Sequence, residues 1–344
     1  MENGHYTREE IFSQPDVWIS GIEIIRSQAK EIREFYRKGK YDHILFIGCG
    51  STYYLSLAAA STFVALGKKF VRGLPASELW LDPFNVTPED GKCLLIAVSR
   101  SGSTTETLKA CETFSAQKRG DIFTISCYPE APLARMGAYN LVFPDSREES
   151  IAQTRSFSTL FLATIATSAL WNDKQDLVKD LIRLPDLARR LIKENGEKIR
   201  LLAQDPRLER FYFLGSGSRY GLACEISLKM KEMSLSHSEP FHFLEFRHGP
   251  MSMVNKQTFL MGMVSERNQA FEVKVLDEMK SRGAVTLSLG EGSTDITFNS
   301  GVPEAVRNVL YLPLGQLFAL ERSLHNGLNP DKPNNLDAVV ILNQ

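Results

Sequence analysis

The sequence predicts two tandem α/β domains, each a doubly wound parallel sheet flanked by helices, and three observations predict them. Short apolar runs alternate with helical patterns along the chain, as parallel strands joined by crossover helices require. Two stretches share one shape: HILFIGCGSTYYLSLAAA at 43–60 and RFYFLGSGSRYGLACEIS at 210–227 both run from an apolar strand through Gly-x-Gly-Ser and an aromatic into an amphipathic helix. The paired glycines, Gly48/Gly50 and Gly215/Gly217, lie about half the chain apart, so the 344 residues read as one domain and its repeat.

Taken in order, residues 1–34 are a helical lead-in, and the pattern of REEIFSQPDVWISGIEIIRSQAKEIREFYRKG predicts a break near Pro15. The first domain, 35–171, carries apolar runs at 43–48, CLLIAVS (93–99), DIFTISC (121–127) and YNLVFP (139–144). Residues 172–205 form a charged connector of two helices. Leu177, Leu181 and Leu184 make one stripe, Pro185 interrupts it, and Leu187 and Leu191 resume it. In the second domain, 206–330, TFLMGMVS (258–265) answers CLLIAVS, AVTLSLG (284–290) answers DIFTISC, and VLYLPL (309–314) answers YNLVFP. Residues 331–344 are a tail.

Composition narrows the function. With 43% hydrophobic and 24% charged residues the chain can bury a sizeable core. A net charge of −1 without a basic block leaves no footprint for nucleic acid, although a small anion needs only a local site. Five cysteines, widely spaced and without C-x-x-C, indicate neither a disulfide framework nor a zinc site. No signal-peptide core and no run of membrane-spanning length are visible, so a cytoplasmic protein without a membrane partner is expected.

The stretch LLIAVSRSGSTTETL, at 94–108, is where chemistry concentrates. It lacks the lysine of a nucleotide P-loop. A dinucleotide reading of the glycine turns is also weak. Gly48-Cys49-Gly50-Ser51-Thr52-Tyr53 has no third glycine, and Gly221 comes one residue late after Gly215 and Gly217. No ribose-binding acid follows, and Arg72 reads as a solvated surface residue. A strand-to-helix turn does present backbone N–H groups and a positive helix end to an anion. Ser99, Ser101, Ser103, Thr104 and Thr105 surround Gly102, and Ser51 and Thr52 stand on the matching turn. Helix capping accounts for one hydroxyl, not five. The pattern points to a monophosphate, with no cofactor.

The second informative stretch, 221–252, begins as a helix. Leu222, Ile226, Met230 and Met233 form its apolar stripe, while Glu225, Lys229, Glu232 and Ser236 form a polar one. That polar stripe fits a solvated face as well as it fits a pocket. His237, Glu239, His242, Glu245, Arg247 and His248 then crowd a segment ending at His-Gly-Pro. The histidine spacing does not give a ligand set, so no metal is expected.

In combination, HYTREEIFSQP, GCGSTYY, PASE, SRSGSTTET, IAQTRSFST, LGSGSRYGLACEISLKMKE, EFRHGP and NPDKPNNL resemble the sugar isomerase (SIS) domain family. The nearest likeness is to the isomerase half of glucosamine–fructose-6-phosphate aminotransferase, over nearly the whole chain. The resemblance implies two SIS domains, a homodimer, and a sugar 6-phosphate as substrate. It implies that Ser99, Arg100, Ser101 and Thr104 surround the phosphate, with Ser51 and Thr52 lining the pocket, and that Gln153 and Thr154 meet the sugar hydroxyls. It makes Glu232 the glutamate that moves a proton between C1 and C2, and His248 the ring-opening histidine, reaching into the neighbouring subunit's site. Glu225 and Lys229 line that pocket.

Two departures bear on activity. The chain carries neither a glutaminase domain nor its N-terminal cysteine, so glutamine is not expected as nitrogen donor. The family's Schiff-base lysine aligns with Ala338, and Lys332 lies six residues early. Arg100 replaces a neutral amide and either adds charge to the phosphate site or points into solvent. The expected chemistry is therefore aldose–ketose isomerisation or deamination of an amino-hexose 6-phosphate, for example glucosamine 6-phosphate to fructose 6-phosphate and ammonia. Glu232 is its acid–base, Lys229 steadies developing oxyanion charge, and the His248 imidazole, with an ordinary pKa near 6.5, shuttles the ring-oxygen proton. Three alternatives stay open: a fructosamine-phosphate deglycase, a non-catalytic phosphosugar sensor, and a Rossmann-type oxidoreductase.

Overall fold

The apolar runs singled out in the sequence become strands, with the exception of VLYLPL at 309–314. The computed structural model describes residues 2–342 apart from Lys68, Phe70 and Pro88. Its contacts divide the chain into two interleaved units. One, the first-sheet unit, comprises Asp16–Glu148, Arg155–Ile182 and the tail from Asp337. The second-sheet unit takes the chain up to Pro15, then Glu149–Thr154 and Arg183–Leu336.

The chain opens with α1 (His5–Ser27), whose first turns belong to the second-sheet unit and whose remainder belongs to the first, and continues into α2 (Ala29–Gly39). The expected break at Pro15 does not occur. Proline leaves the carbonyl of Ile11 without its helical donor, and the Gln14 side-chain amide supplies one instead, at 2.9 Å. The helix breaks at Gln28.

The first sheet is built from β1 (His43–Gly48), β2 (Val71–Pro75), β3 (Cys93–Ser99), β4 (Gly120–Ser126) and β5 (Tyr139–Val142), in the order β2-β1-β3-β4-β5 and parallel throughout. Every residue of β3 is buried, as a central strand covered on both faces demands. Helices α3 (Ser51–Gly67), α4 (Ala76–Leu81), α5 (Pro83–Val86), α6 (Thr105–Gln117), α7 (Arg155–Trp171) and α8 (Gln175–Asp180) belong to this unit. Aromatic packing anchors its core, with Trp171 stacked on Tyr36 at 4.9 Å and the Trp18 indole donating to Ser158 Oγ at 2.9 Å.

The second-sheet unit contains α9 (Leu184–Ala203), β6 (Arg210–Leu214), α10 (Ser218–Ser234), β7 (His237–Phe241), β8 (Thr258–Met263), α11 (Gln269–Ser281), β9 (Val285–Gly290), β10 (Ile296–Thr297), α12 (Glu304–Arg307) and α13 (Tyr311–His325). Its strands are also parallel, in the order β10-β9-β8-β6-β7. Numbered from its own first strand, each sheet reads 2-1-3-4-5, so the repeat is one of topology as well as sequence.

One strand assignment is corrected. VLYLPL does not answer YNLVFP: it forms a 3₁₀ turn and the start of α13, and the fifth strand is the two-residue β10. Helix α13 is buried on all sides from Tyr311 to Ser323, and an apolar run of that kind carries no periodicity to separate helix from strand. Edge strands β2 and β7 lack apolar runs altogether. β7 even contains Pro240, which an edge tolerates. Among the described residues, no helix is long and apolar enough to cross a membrane.

Candidate active site

In a sheet ordered 2-1-3-4-5, the chain reverses direction between the first and third strands, and loops leaving their carboxyl ends face a common crevice. In the first-sheet unit those loops are 49–50 and 100–104. The second is wound tightly around its own hydroxyls. Ser99 Oγ accepts the Gly102 N–H at 3.1 Å, Ser101 Oγ accepts the Ser103 N–H at 3.2 Å, and Ser101 Oγ lies 3.4 Å from Thr104 Oγ1. Gly102 has φ of 64°, and a Cβ there would stand 2.8 Å from that of Ala131, so both conformation and space require glycine. Thr104 occupies the N-cap position of α6, yet its hydroxyl makes no capping bond. Capping therefore does not explain that hydroxyl.

On the matching loop, Ser51 and Thr52 are buried at the start of α3. Thr52 Oγ1 closes the turn, accepting the Cys49 N–H at 2.9 Å and donating to the Cys49 carbonyl at 3.0 Å. Burial pushes the Cys49 thiol up, which keeps it protonated beside Thr107 at neutral pH.

Arg100 does not point into solvent. Its guanidinium is buried, 3.2 Å from a Glu148 carboxylate oxygen, and donates to the Ala338 carbonyl at 3.0 Å. Glu148 in turn accepts the N–H and hydroxyl of Ser156 at the start of α7. The tail lies against α6: the Thr105 N–H donates to the Val340 carbonyl at 3.3 Å, and the Leu342 N–H donates to Thr105 Oγ1 at 3.0 Å. Ala338 thus contributes a backbone carbonyl.

In the second-sheet unit the polar stripe of α10 is not a solvated face. Glu225 and Lys229 are both 0% exposed. The Lys229 ammonium sits between two carboxylates, 3.1 Å from Glu225 Oε1 and in direct contact with Glu232, which is half-buried. Burial opposes the charge on Lys229, but Glu225 and Glu232 outweigh it and raise the pKa above the ordinary 10.5. The lysine is therefore held as an ammonium and is unsuited to Schiff-base attack. Desolvating such a group costs several kcal/mol unless it is paired as well as this one is.

Gln153 and Thr154 stand on a short loop clamped from two sides. The buried Glu10 carboxylate accepts the N–H groups of Glu149 and Ser150 at 2.6 and 3.1 Å. The Asp331 carbonyl accepts the Ile151 N–H at 3.1 Å, while its carboxylate accepts both the N–H and the hydroxyl of Thr7 at 2.8 Å. Gln316 Nε2 donates to the Thr154 carbonyl at 3.1 Å. Gln153 Oε1 is buried with no hydrogen-bond partner among the described residues, a position suited to a ligand hydroxyl.

His248 is exposed at the end of a 3₁₀ turn, Glu245–Arg247. Arg247 fixes that turn to α11 by a two-bond pairing with Glu278, at 2.7 and 2.8 Å. His242 stacks on Tyr220 at 3.9 Å, and burial lowers its pKa. Lys332 is exposed. Among the described residues no group of three or more His, Cys, Asp or Glu side chains is placed to hold a metal.

The predicted residues thus form two sets. Ser51, Thr52, Ser99, Arg100, Ser101 and Thr104 lie in the first-sheet unit, and Gln153, Thr154, Glu225, Lys229, Glu232 and His248 in the second-sheet unit. Sequence reasoning missed Glu10, Glu148 and Asp331 as supports. Glu10 and Asp331 lie inside HYTREEIFSQP and NPDKPNNL, so the motif signal was there without its physical cause.

Comparison with known proteins identifies the family. The SIS domain model matches residues 39–172 and 207–299, one segment in each half. The chain belongs to the SIS domain family. This SIS chain is similar to glutamine–fructose-6-phosphate aminotransferases of Thermococcus kodakarensis (28% identity) and Pyrococcus horikoshii (29%) over 96% of its own length, and spans 57% of theirs. Its structure is similar to that of glucosamine-6-phosphate deaminase from Thermotoga maritima, with a TM-score of 0.81, 28% identity, and coverage of 98% of this chain and 100% of the other. The C-terminal domain of the Francisella tularensis aminotransferase shares the SIS fold at a TM-score of 0.83 and 23% identity, covering 95% of this chain and 98% of that domain.

Proposed function

We propose that this chain is a phosphosugar aldose–ketose isomerase and deaminase acting on an amino-hexose 6-phosphate. The observation that carries the reading is the α10 cluster. A fully buried ammonium held between two carboxylates, one of them half-buried, supports an acid–base role for Glu232, which a sensor of sugar phosphate does not need. The likeness to a glucosamine-6-phosphate deaminase along the whole chain supports the amino sugar.

In this reading the hydroxyls and amides at Ser99, Ser101 and Thr104 grip the phosphate, with Ser51 and Thr52 beside them. Binding energy from that non-reacting group holds C1 and C2 in place. Gln153 meets a sugar hydroxyl. His248 moves the ring-oxygen proton to open the sugar, and Glu232 takes the C2 proton and returns it to C1 through an enolamine. Lys229 steadies charge developing on oxygen. The ketose imine then takes up water and releases ammonia, leaving the ketose 6-phosphate. His248 serves the site of a second copy of the chain in a homodimer, in keeping with its exposed place on a pinned turn.

The test is a panel of hexose, hexosamine and fructosamine 6-phosphates, scored together for ammonia and ketose. Ammonia from glucosamine 6-phosphate is the expected result. Turnover of fructosamine phosphates alone would replace it with the deglycase reading, and binding without turnover would leave a sensor.

A further inference from the structure

The tandem repeat gives the second sheet a reversal point of its own, between β6 and β8, and the backbone there repeats the first. A Cβ on Gly215 would meet the carbonyl of Arg219 four residues on, as one on Gly48 would meet that of Thr52. Gly217 has φ of 62° where Gly50 has 54°. Ser265 Oγ accepts the Asn268 N–H at 3.0 Å, as Ser99 Oγ accepts that of Gly102 at 3.1 Å. The same turns that suit an anion in the first sheet therefore recur in the second.

What fills them differs. Two guanidiniums, Arg219 and Arg307, are buried at this point, and the Glu304 carboxylate lies between them. Glu304 accepts from Arg219 Nη1, in the first turn of α10, and from the Glu266 N–H at 3.0 Å, on the loop after β8. Arg307 Nη2 is 3.7 Å from the same carboxylate oxygen. Asn308 Nδ2 donates to Ser218 Oγ at 2.7 Å, at the start of α10. One carboxylate thus ties the start of α10 to the loop after β8.

We infer that Glu304 is a built-in anion, closing the second repeat's oxyanion site so that each chain offers a single phosphate site. The donors exceed what a carboxylate uses. Arg219 Nε and Arg307 Nη2 are buried with no hydrogen-bond partner among the described residues, and a tetrahedral oxyanion has four oxygens to offer them. Arg307 is also shared with Glu266, at 3.2 Å, and Glu291, at 3.9 Å, so it stays partly neutralised without Glu304. Burial opposes the charge on Glu304, yet Arg219, the Glu266 N–H and Arg307 overcome it and hold its carboxyl below the usual range. The Glu304 side chain is 29% exposed, so an ion arriving from solvent has access. The count of one site per chain rests on the phosphate reading of the first sheet, but the role of Glu304 does not.

The experiment uses the full chain with Ser101→Ala and Thr104→Val to weaken the first-sheet site. In that background, binding of inorganic phosphate is measured by equilibrium dialysis, and its effect on thermal unfolding is compared with chloride at equal ionic strength. Glu304→Ala is expected to gain one phosphate per chain, at least about tenfold tighter than the background binds it, with a phosphate-dependent rise in melting temperature. Glu304→Gln keeps the shape and is expected to show the same rise, smaller. An alanine variant that folds only in phosphate supports the inference equally. If neither variant binds phosphate above the background, or the background binds it equally well, the inference is wrong. Should unmodified protein bind no phosphate while the Glu304 variants do, the first-sheet reading fails and this one stands.

Discussion

Lys229 shows how one residue sets the chemistry of its surroundings. Its ammonium lies between Glu225 and Glu232, so Lys229→Met leaves two carboxylates on one face of α10, one of them fully buried. We expect a loss of about 3–5 kcal/mol in denaturant unfolding, the usual cost of breaking a buried pair from one side. Because the lysine's pKa is raised, its contribution is complete below its ordinary 10.5 and fades only as pH climbs through the higher folded value. Across pH 6–9 its share of stability should therefore be flat. Glu232→Gln keeps the shape and removes the base. We expect kcat to fall by about 10²–10⁴-fold with sugar-phosphate affinity nearly unchanged. Normal turnover by this variant would sink the mechanism.

Among elements, the 100–104 loop and the helices differ in how legible they are. The turn of this loop is readable because a glycine set among hydroxyl residues after an apolar strand marks a tight strand-to-helix connection, and its geometry follows from Gly102. Gly102→Ala meets both a positive φ and a clash with Ala131, so a loss of about 1–3 kcal/mol is expected. A larger effect on phosphosugar Kd than on kcat should accompany it, measurable by titration and steady-state kinetics. Helices mislead where a tertiary partner overrides a local rule. Pro15 fails to break α1 because Gln14 replaces the missing donor, and VLYLPL is helical because burial on all sides erases its pattern. The edge strands β2 and β7 offer no apolar run to read, since a five-residue strand with one neighbour buries little.

For the whole molecule, the homodimer proposal makes a prediction that no single variant can test. Glu232→Gln and His248→Ala should each be inactive alone. If His248 serves the partner's site, random mixed dimers contain one intact site each, and about a quarter of the wild-type activity should return on refolding them together. No recovery would place His248 in the site of its own chain.

The repeat, the parallel sheets, the phosphate-loop candidate and the stripe Glu225, Lys229, Glu232 are all legible in the chain alone, because periodicity and residue type are local properties. Whether that stripe faces water is not. Folding puts it in the interior, where Lys229 becomes a fixed cation. Folding also gives Arg100 to Glu148 and the Ala338 carbonyl, and sets Glu304 between the start of α10 and the loop after β8. The reason is physical. The pattern of a helix says which residues share a face, but the energy of a charge depends on what lies across from it, and that partner is remote in sequence.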